Sequence, residues 1–178
     1  MRFINISLSA LCLAFCLFTT SAVAADVAKI GVIDLQKILS TSDAGKDAQA
    51  KINAKGQSMQ EDLTAKAAEY TDAQERYDRE SSVMSSEARA EKERELKIKQ
   101  LDLEDLKDKY ESDFSAYNQE LVNQFKVGVL KASDEIGKKE GYTLILEKTS
   151  GGIVYAPSTI DITDKVIQQY NENYAKEK

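Results

Sequence analysis

The chain has 178 residues, 30 acidic and 24 basic, for a formal net charge of −6, with no histidine, one proline and two cysteines. An anionic surface of this kind disfavours nonspecific nucleic-acid binding and adhesion to anionic lipid. The absence of histidine excludes imidazole bases and the usual zinc ligands.

The N-terminus reads as a targeting segment. Arg2 gives a positive start, Ile4 to Thr19 is an uncharged apolar run, and Ala22-Val23-Ala24 is a small-residue cleavage signal, so the mature chain is expected to begin at Ala25. The apolar run is shorter than the ~20 residues a membrane span needs. Leu11 precedes Cys12 and Phe15 precedes Cys16, where a lipoprotein site would place a small residue. Both cysteines leave with residues 1–24. The remaining 178 − 24 = 154 residues then carry a charge of 23 − 30 = −7 and have no disulfide or thiol chemistry. These features predict an exported, periplasmic, acidic protein.

Lys29 to Asp34 has the β-branched pattern of a short strand, and Leu35 to Leu39 fits a turn or two of helix. Ser40-Thr41-Ser42-Asp43 offers several N-cap residues for a long charged stretch that runs without proline from Asp43 to Glu140. At about 1.5 Å per residue it would span well over ~100 Å if straight, or roughly half that as a hairpin. Met59, Leu63, Tyr70 and Tyr77 share one heptad frame in its first half. Leu96, Leu103, Leu106, Tyr110, Phe114, Tyr117, Leu121 and Phe125 form a cleaner helical stripe in the second. Between them, residues 81–86 hold four serines, which favour turns and caps over helix interiors, so the hairpin tip is placed there with Glu87 opening the return arm.

Gly141 is expected to cap the return arm in the left-handed conformation. Tyr142 to Lys148 then reads as a strand, Thr149-Ser150-Gly151-Gly152 as a turn, and Ile153-Val154-Tyr155 as the partner strand, broken by Pro157. Ile160-Asp161-Ile162 fits a short edge strand, and Thr163 an N-cap for a final helix to about Ala175. The chain thus divides into a β-rich body (25–42 and 141–178) and a helical arm (43–140). A body that small, with open strand edges, calls for self-association.

Little in the sequence points to chemistry. Gly45-Lys46 and the Gly137 to Gly141 segment lack the spacing of a phosphate-binding loop. Adjacent carboxylates such as Glu61-Asp62 and Glu104-Asp105 would lie on a two-helix arm, which offers no dry pocket to separate their pKa values. No catalytic residue, cofactor, metal site or nucleic-acid partner is expected. Charge is nevertheless uneven: residues 76–99 sum to 7 − 6 = +1 and residues 100–120 to 2 − 7 = −5. All four arginines of the mature chain, Arg76, Arg79, Arg89 and Arg94, flank the tip. The arm tyrosines Tyr70, Tyr77, Tyr110 and Tyr117 suit either the seam or an adaptable contact surface.

Taken in order, Ile30 to Leu39, Gly45-Lys46, the long hairpin, Gly141 to Lys148, Gly152 to Tyr155 and Ile162-Thr163 resemble the Skp/OmpH family of periplasmic chaperones. The resemblance implies an α+β fold, a long antiparallel helical hairpin inserted in a small β body that assembles as a trimer. Its arms would enclose a cavity that holds unfolded outer-membrane β-barrel proteins without ATP. It makes Tyr70, Tyr77, Met84, Arg76, Arg79, Arg89, Tyr110 and Tyr117 candidates for client contact. Ile30, Val32, Leu144, Leu146, Ile153 and Tyr155 become candidates for self-assembly. Well-known members are strongly basic, and the −7 charge departs from them, so lipopolysaccharide or membrane binding is not carried over. The competing expectation is a periplasmic coiled-coil adaptor gripping one folded partner.

Overall fold

A computed structural model describes residues 28–177; the expected leader, residues 1–24, lies outside them. Strand β1 (Ile30–Ile33) leads into a short helix α1 (Leu35–Thr41), a long helix α2 (Asp43–Glu80) and a longer α3 (Ser86–Glu140). Strand β2 (Leu144–Glu147) and helix α4 (Thr163–Glu177) complete the order, with 3-10 turns at Ser81–Val83 and Ser158–Ile160. No described helix is long and apolar enough to cross a membrane.

Side-chain caps set the helix starts. The Asp34 carboxylate accepts from the Lys37 N–H at 2.9 Å to open α1, and Ser42 Oγ accepts from the Gly45 N–H at 3.1 Å to open α2. Ser85 Oγ accepts from Ala88 N–H at 3.2 Å, so the return helix begins at Ser86, one residue before the expected Glu87. At its far end Gly141 sits at φ 71°, the left-handed conformation in which a missing Cβ relieves the clash. Thr163 caps differently from expectation: its hydroxyl accepts from the Asp34 N–H at 3.0 Å, tying the final helix to β1, while the Asp161 carboxylate accepts the Thr163 N–H at 2.9 Å.

The strands correct the sequence-based expectation. β2 pairs with β1 in parallel, Ile30 opposite Leu144 and Ile33 opposite Glu147. Parallel neighbours need a crossover, and here the whole helical hairpin supplies it. The expected antiparallel partner Ile153-Val154-Tyr155 forms no strand. Its turn does form, with the Gly152 N–H on the Thr149 carbonyl at 3.2 Å and the Ile153 N–H on the Lys148 carbonyl at 3.1 Å. Pairing ends there, because the chain must cross to the far side of β1, where Asp161 bridges Val32. The expected edge strand is thus reduced to one bridge after a 3-10 turn.

The core joins Ile33, Ile38 and Ile162 to two helix faces: Phe125, Val129, Ala132 and Ile136 of α3, and Val166, Ile167 and Tyr170 of α4. The rings of Phe125 and Tyr170 meet edge to face at 5.9 Å, a favoured aromatic geometry. The last turns of α3 therefore serve as body core as well as the arm's root. Polar ties close the rim: Lys29 Nζ donates to the Glu140 carbonyl at 2.8 Å, and Lys165 Nζ reaches the Glu140 carboxylate at 2.6 Å. The α3–α4 approach depends on Gly128, where an added Cβ would press into Cε2 of Tyr170. Overpacking a fitted core costs about 1–3 kcal/mol, so Gly128→Ala is expected to lower unfolding stability by that amount, measured by urea denaturation. An unchanged midpoint would show that Tyr170 moves aside freely.

Candidate functional site

The arm is the part of the molecule with no evident structural purpose of its own. Its two helices pack in antiparallel order along Ile52, Gly56, Met59, Leu63, Tyr70 and Tyr77 on α2, against Leu96, Leu103, Leu106, Tyr110, Phe114 and Tyr117 on α3. Met59, Leu121 and Phe125 are buried near the root. Between residues 60 and 120 no residue is buried: every apolar seam residue there is half-exposed, and most of the rest lie in solvent. Two helices alone cannot enclose a core, because each apolar stripe has only one neighbour to cover it. Gly56 is a packing position rather than a gap in the seam, with the Phe114 ring over it; a Cβ there would meet Phe114 Cε2 at 3.3 Å.

Polar clasps supplement this thin seam. Tyr110 donates its hydroxyl to Asp62 Oδ2 across the helices at 2.7 Å, and Tyr77 donates to Glu93 Oε1 at 2.5 Å. At the root Tyr174 of α4 donates to Asp47 Oδ2 at 2.5 Å. The carboxylate partner, with burial adding, raises the Tyr77 and Tyr110 phenols above the usual tyrosine value.

The candidate residues sort into distinct roles. Arg76, Tyr77 and Met84 meet in one open groove of about 550 Å³ near the tip, with Lys92, Leu96 and Lys99. Tyr70 lies in a second groove of about 320 Å³ with Leu103 and Leu106 on its floor and Lys66, Lys99 and Asp102 on its rim. Arg79 is paired with Glu75 at 3.5 Å. Arg89 donates from both Nε (3.2 Å) and Nη2 (2.8 Å) to the Ser81 carbonyl, which makes it a staple of the tip. Tyr110 and Tyr117 are half-buried in the seam. Among the described residues no group of three or more acidic side chains is gathered as a metal would require.

Sequence reasoning missed three exposed apolar side chains of the outer arm: Val83 at the tip (86% exposed), Ile98 (51%) and Leu101 (45%). The signal was present, since Ile98 and Leu101 fall between the stripe positions Leu96 and Leu103 and must face away from the seam. Of the assembly candidates, Val32 is buried within the single chain, Leu146 and Ile153 are half-buried, and Ile30, Leu144 and Tyr155 are exposed.

If the clasps hold the arm together, Tyr110→Phe keeps the ring but frees Asp62. Amide hydrogen exchange is then expected to quicken in the turns around Asp62 and Tyr110 and to stay unchanged around Val129 and Val166. Identical exchange in both regions would mean that the hydroxyl bond holds nothing.

This geometry has relatives. The chain matches the family described as outer membrane protein (OmpH-like) over residues 29–170. Its fold is similar to a solved structure from Caulobacter crescentus CB15, provisionally described as an OmpH-like outer membrane chaperone, with a TM-score of 0.76 at 14% identity. That match covers 83% of this chain and 86% of the other. No curated protein matches the sequence. With the family match running from the first strand into the final helix, the chain belongs to the OmpH-like family.

Proposed function

We propose that this protein is an ATP-independent periplasmic holdase: its arms bind unfolded outer-membrane β-barrel proteins and keep them from aggregating. The observation that carries this function is the outer arm without a dry core. Half-exposed Tyr70, Tyr77, Leu103 and Leu106, together with exposed Val83, Ile98 and Leu101, offer many small apolar contacts on a charged, soluble scaffold. Each burial is worth only a fraction of the roughly 1.5–3 kcal/mol of a fully buried aliphatic side chain. A client held by many weak contacts stays mobile and can leave for a folded state that buries more. The arm suits this work only if several copies surround a client, so the protein is proposed to act as a homotrimer with the body at the centre. The family match and the chaperone description of the similar Caulobacter protein support the same function.

Charge shapes the client. The stretch 100–120, with a net charge of −5, lies along the middle of α3, so it favours basic or largely apolar segments over acidic ones. The test is light scattering when a urea-unfolded outer-membrane β-barrel protein is diluted into ATP-free buffer. Aggregation is expected to be suppressed at about one trimer per client. Suppression is expected to weaken several-fold in Ile98→Ser/Leu101→Ser, and again in Leu103→Asp/Leu106→Asp, which splays the arms, with sedimentation unchanged in both. Undiminished aggregation by an intact assembly would favour an adaptor for one folded partner.

A further inference from the structure

The chain holds few side chains that a mild oxidant attacks. It has no histidine and no tryptophan, and its two cysteines, Cys12 and Cys16, lie within the expected leader. Its three methionines are Met1, Met59 and Met84. Met59 is buried in the seam, at 7% exposure. Met84 is half-buried and lines the open groove of about 550 Å³ near the arm tip. Oxidation of a sulfur follows its exposure. Among the described residues, Met84 is therefore the sulfur that solvent reaches more readily.

The backbone places that sulfur at a junction. Met84 is extended, at φ −77° and ψ 149°, between the 3-10 turn Ser81–Val83 and the Ser85 cap of α3. In the groove it lies with Ala73 and with Tyr77 and Leu96, the outermost residues of the seam. A thioether suits this place, since it packs against apolar and aromatic groups without requiring a hydrogen bond. A sulfoxide does not, because its oxygen is a polar acceptor and is costly to leave without a donor. The same groove offers a donor. Arg79 is paired with Glu75, Arg89 with the Ser81 carbonyl and Arg94 with Glu91. Arg76, on the groove wall, has no hydrogen bond or ion pair among the described residues.

We propose that Met84 is a reversible oxidation site that changes the character of the tip groove, with a peroxide as oxidant. The Met84 Sδ lone pair attacks one oxygen of hydrogen peroxide and the O–O bond breaks. The proton on the transferred oxygen passes to the departing hydroxide, giving the sulfoxide and water. Sulfur loses two electrons and the peroxide gains them. The new oxygen turns from Tyr77 and Leu96 to the Arg76 guanidinium, so the groove loses an apolar group and its free cation together. A methionine sulfoxide reductase reverses the step: two thiols supply two electrons, and a disulfide and water are the products. The oxidation stands by itself. Its consequence for clients rests on the holdase reading, in which Met84 is one of many weak apolar contacts.

The test treats the full chain, carrying Cys12→Ser and Cys16→Ser, with hydrogen peroxide and removes the excess with catalase before any readout. Peptide mass spectrometry is expected to find Met84 oxidised about tenfold faster than Met59; equal rates would overturn the proposal. Amide hydrogen exchange across residues 77–96 is expected to quicken on oxidation and to stay unchanged around Val166. It is expected to return after treatment with the reductase and dithiothreitol. Exchange that never changes would show that the sulfoxide sits where the thioether sat, which overturns the change of groove. Met84→Leu keeps an apolar side chain that peroxide leaves alone, so its exchange is expected not to respond. A response as large as the parent's would place the effect elsewhere and overturn the proposal too. In the light-scattering assay the oxidised chain is expected to need about twofold more protein for equal suppression, and treated Met84→Leu no more than before. Equal suppression by oxidised and untreated parent would overturn the consequence for clients. A chain that suppresses nothing even untreated would sink the holdase reading, with the oxidation site still decided by the peptide and exchange measurements.

Discussion

The arm depends on one contact, the docking of the last turns of α3 onto α4 and the strand pair. Phe125, Val129, Ala132 and Ile136 bury their side chains against Ile38, Val166, Ile167 and Tyr170, and they sit on the same helix that continues outward to Ser86. Ordering each residue costs about 1–2 kcal/mol of backbone entropy, and between residues 60 and 120 no buried residue offsets it. Surface ion pairs three residues apart, such as Lys66 with Glu69 and Lys92 with Glu95, are screened by solvent and add little. Packing of the α3 root in the body therefore offsets part of the cost of ordering the arm, since most helical stability in proteins comes from tertiary packing.

An arm stabilised in this way is stiff in secondary structure and soft in tertiary structure. Every backbone group can keep its helical bond while the two helices shift against one another, because little buried surface resists the shift. The tyrosine–carboxylate clasps at Tyr77 and Tyr110 limit that freedom without drying the seam. The apolar surface that the proposed holding would use is surface that a rigid spacer would have buried.

The body carries the opposite balance. Its helical side is well packed, with Ile38, Ala132 and Val166 fully enclosed. Its sheet side is left bare at Ile30 and Leu144. A core that includes the root of α3 is larger than the residues outside the hairpin would supply. The proposed self-assembly would therefore cover the exposed sheet face and the open strand edge rather than compensate for too small a core.

The sequence by itself determined the elements whose cause is local. Serines between two helical stripes placed the turn, Gly141 marked the helix end, and the 3-4 spacing from Leu96 to Phe125 identified the seam, because caps, turns and helical periodicity are read over a few residues. What lay far apart in sequence was decided only by the tertiary structure. The Thr-Ser-Gly-Gly turn reads locally as a hairpin, but β2 pairs in parallel with β1, more than a hundred residues earlier, and Asp161 draws the chain across to the other side. Arg89 flanks the tip in sequence, and only the turn brings the Ser81 carbonyl within reach of its guanidinium. Tyr110 suits either the seam or a contact surface when read alone, and its hydroxyl bond to Asp62 on the opposite helix is visible only in the fold. In each case the deciding partner lies on another element, and a chain read one window at a time does not contain the distance between them.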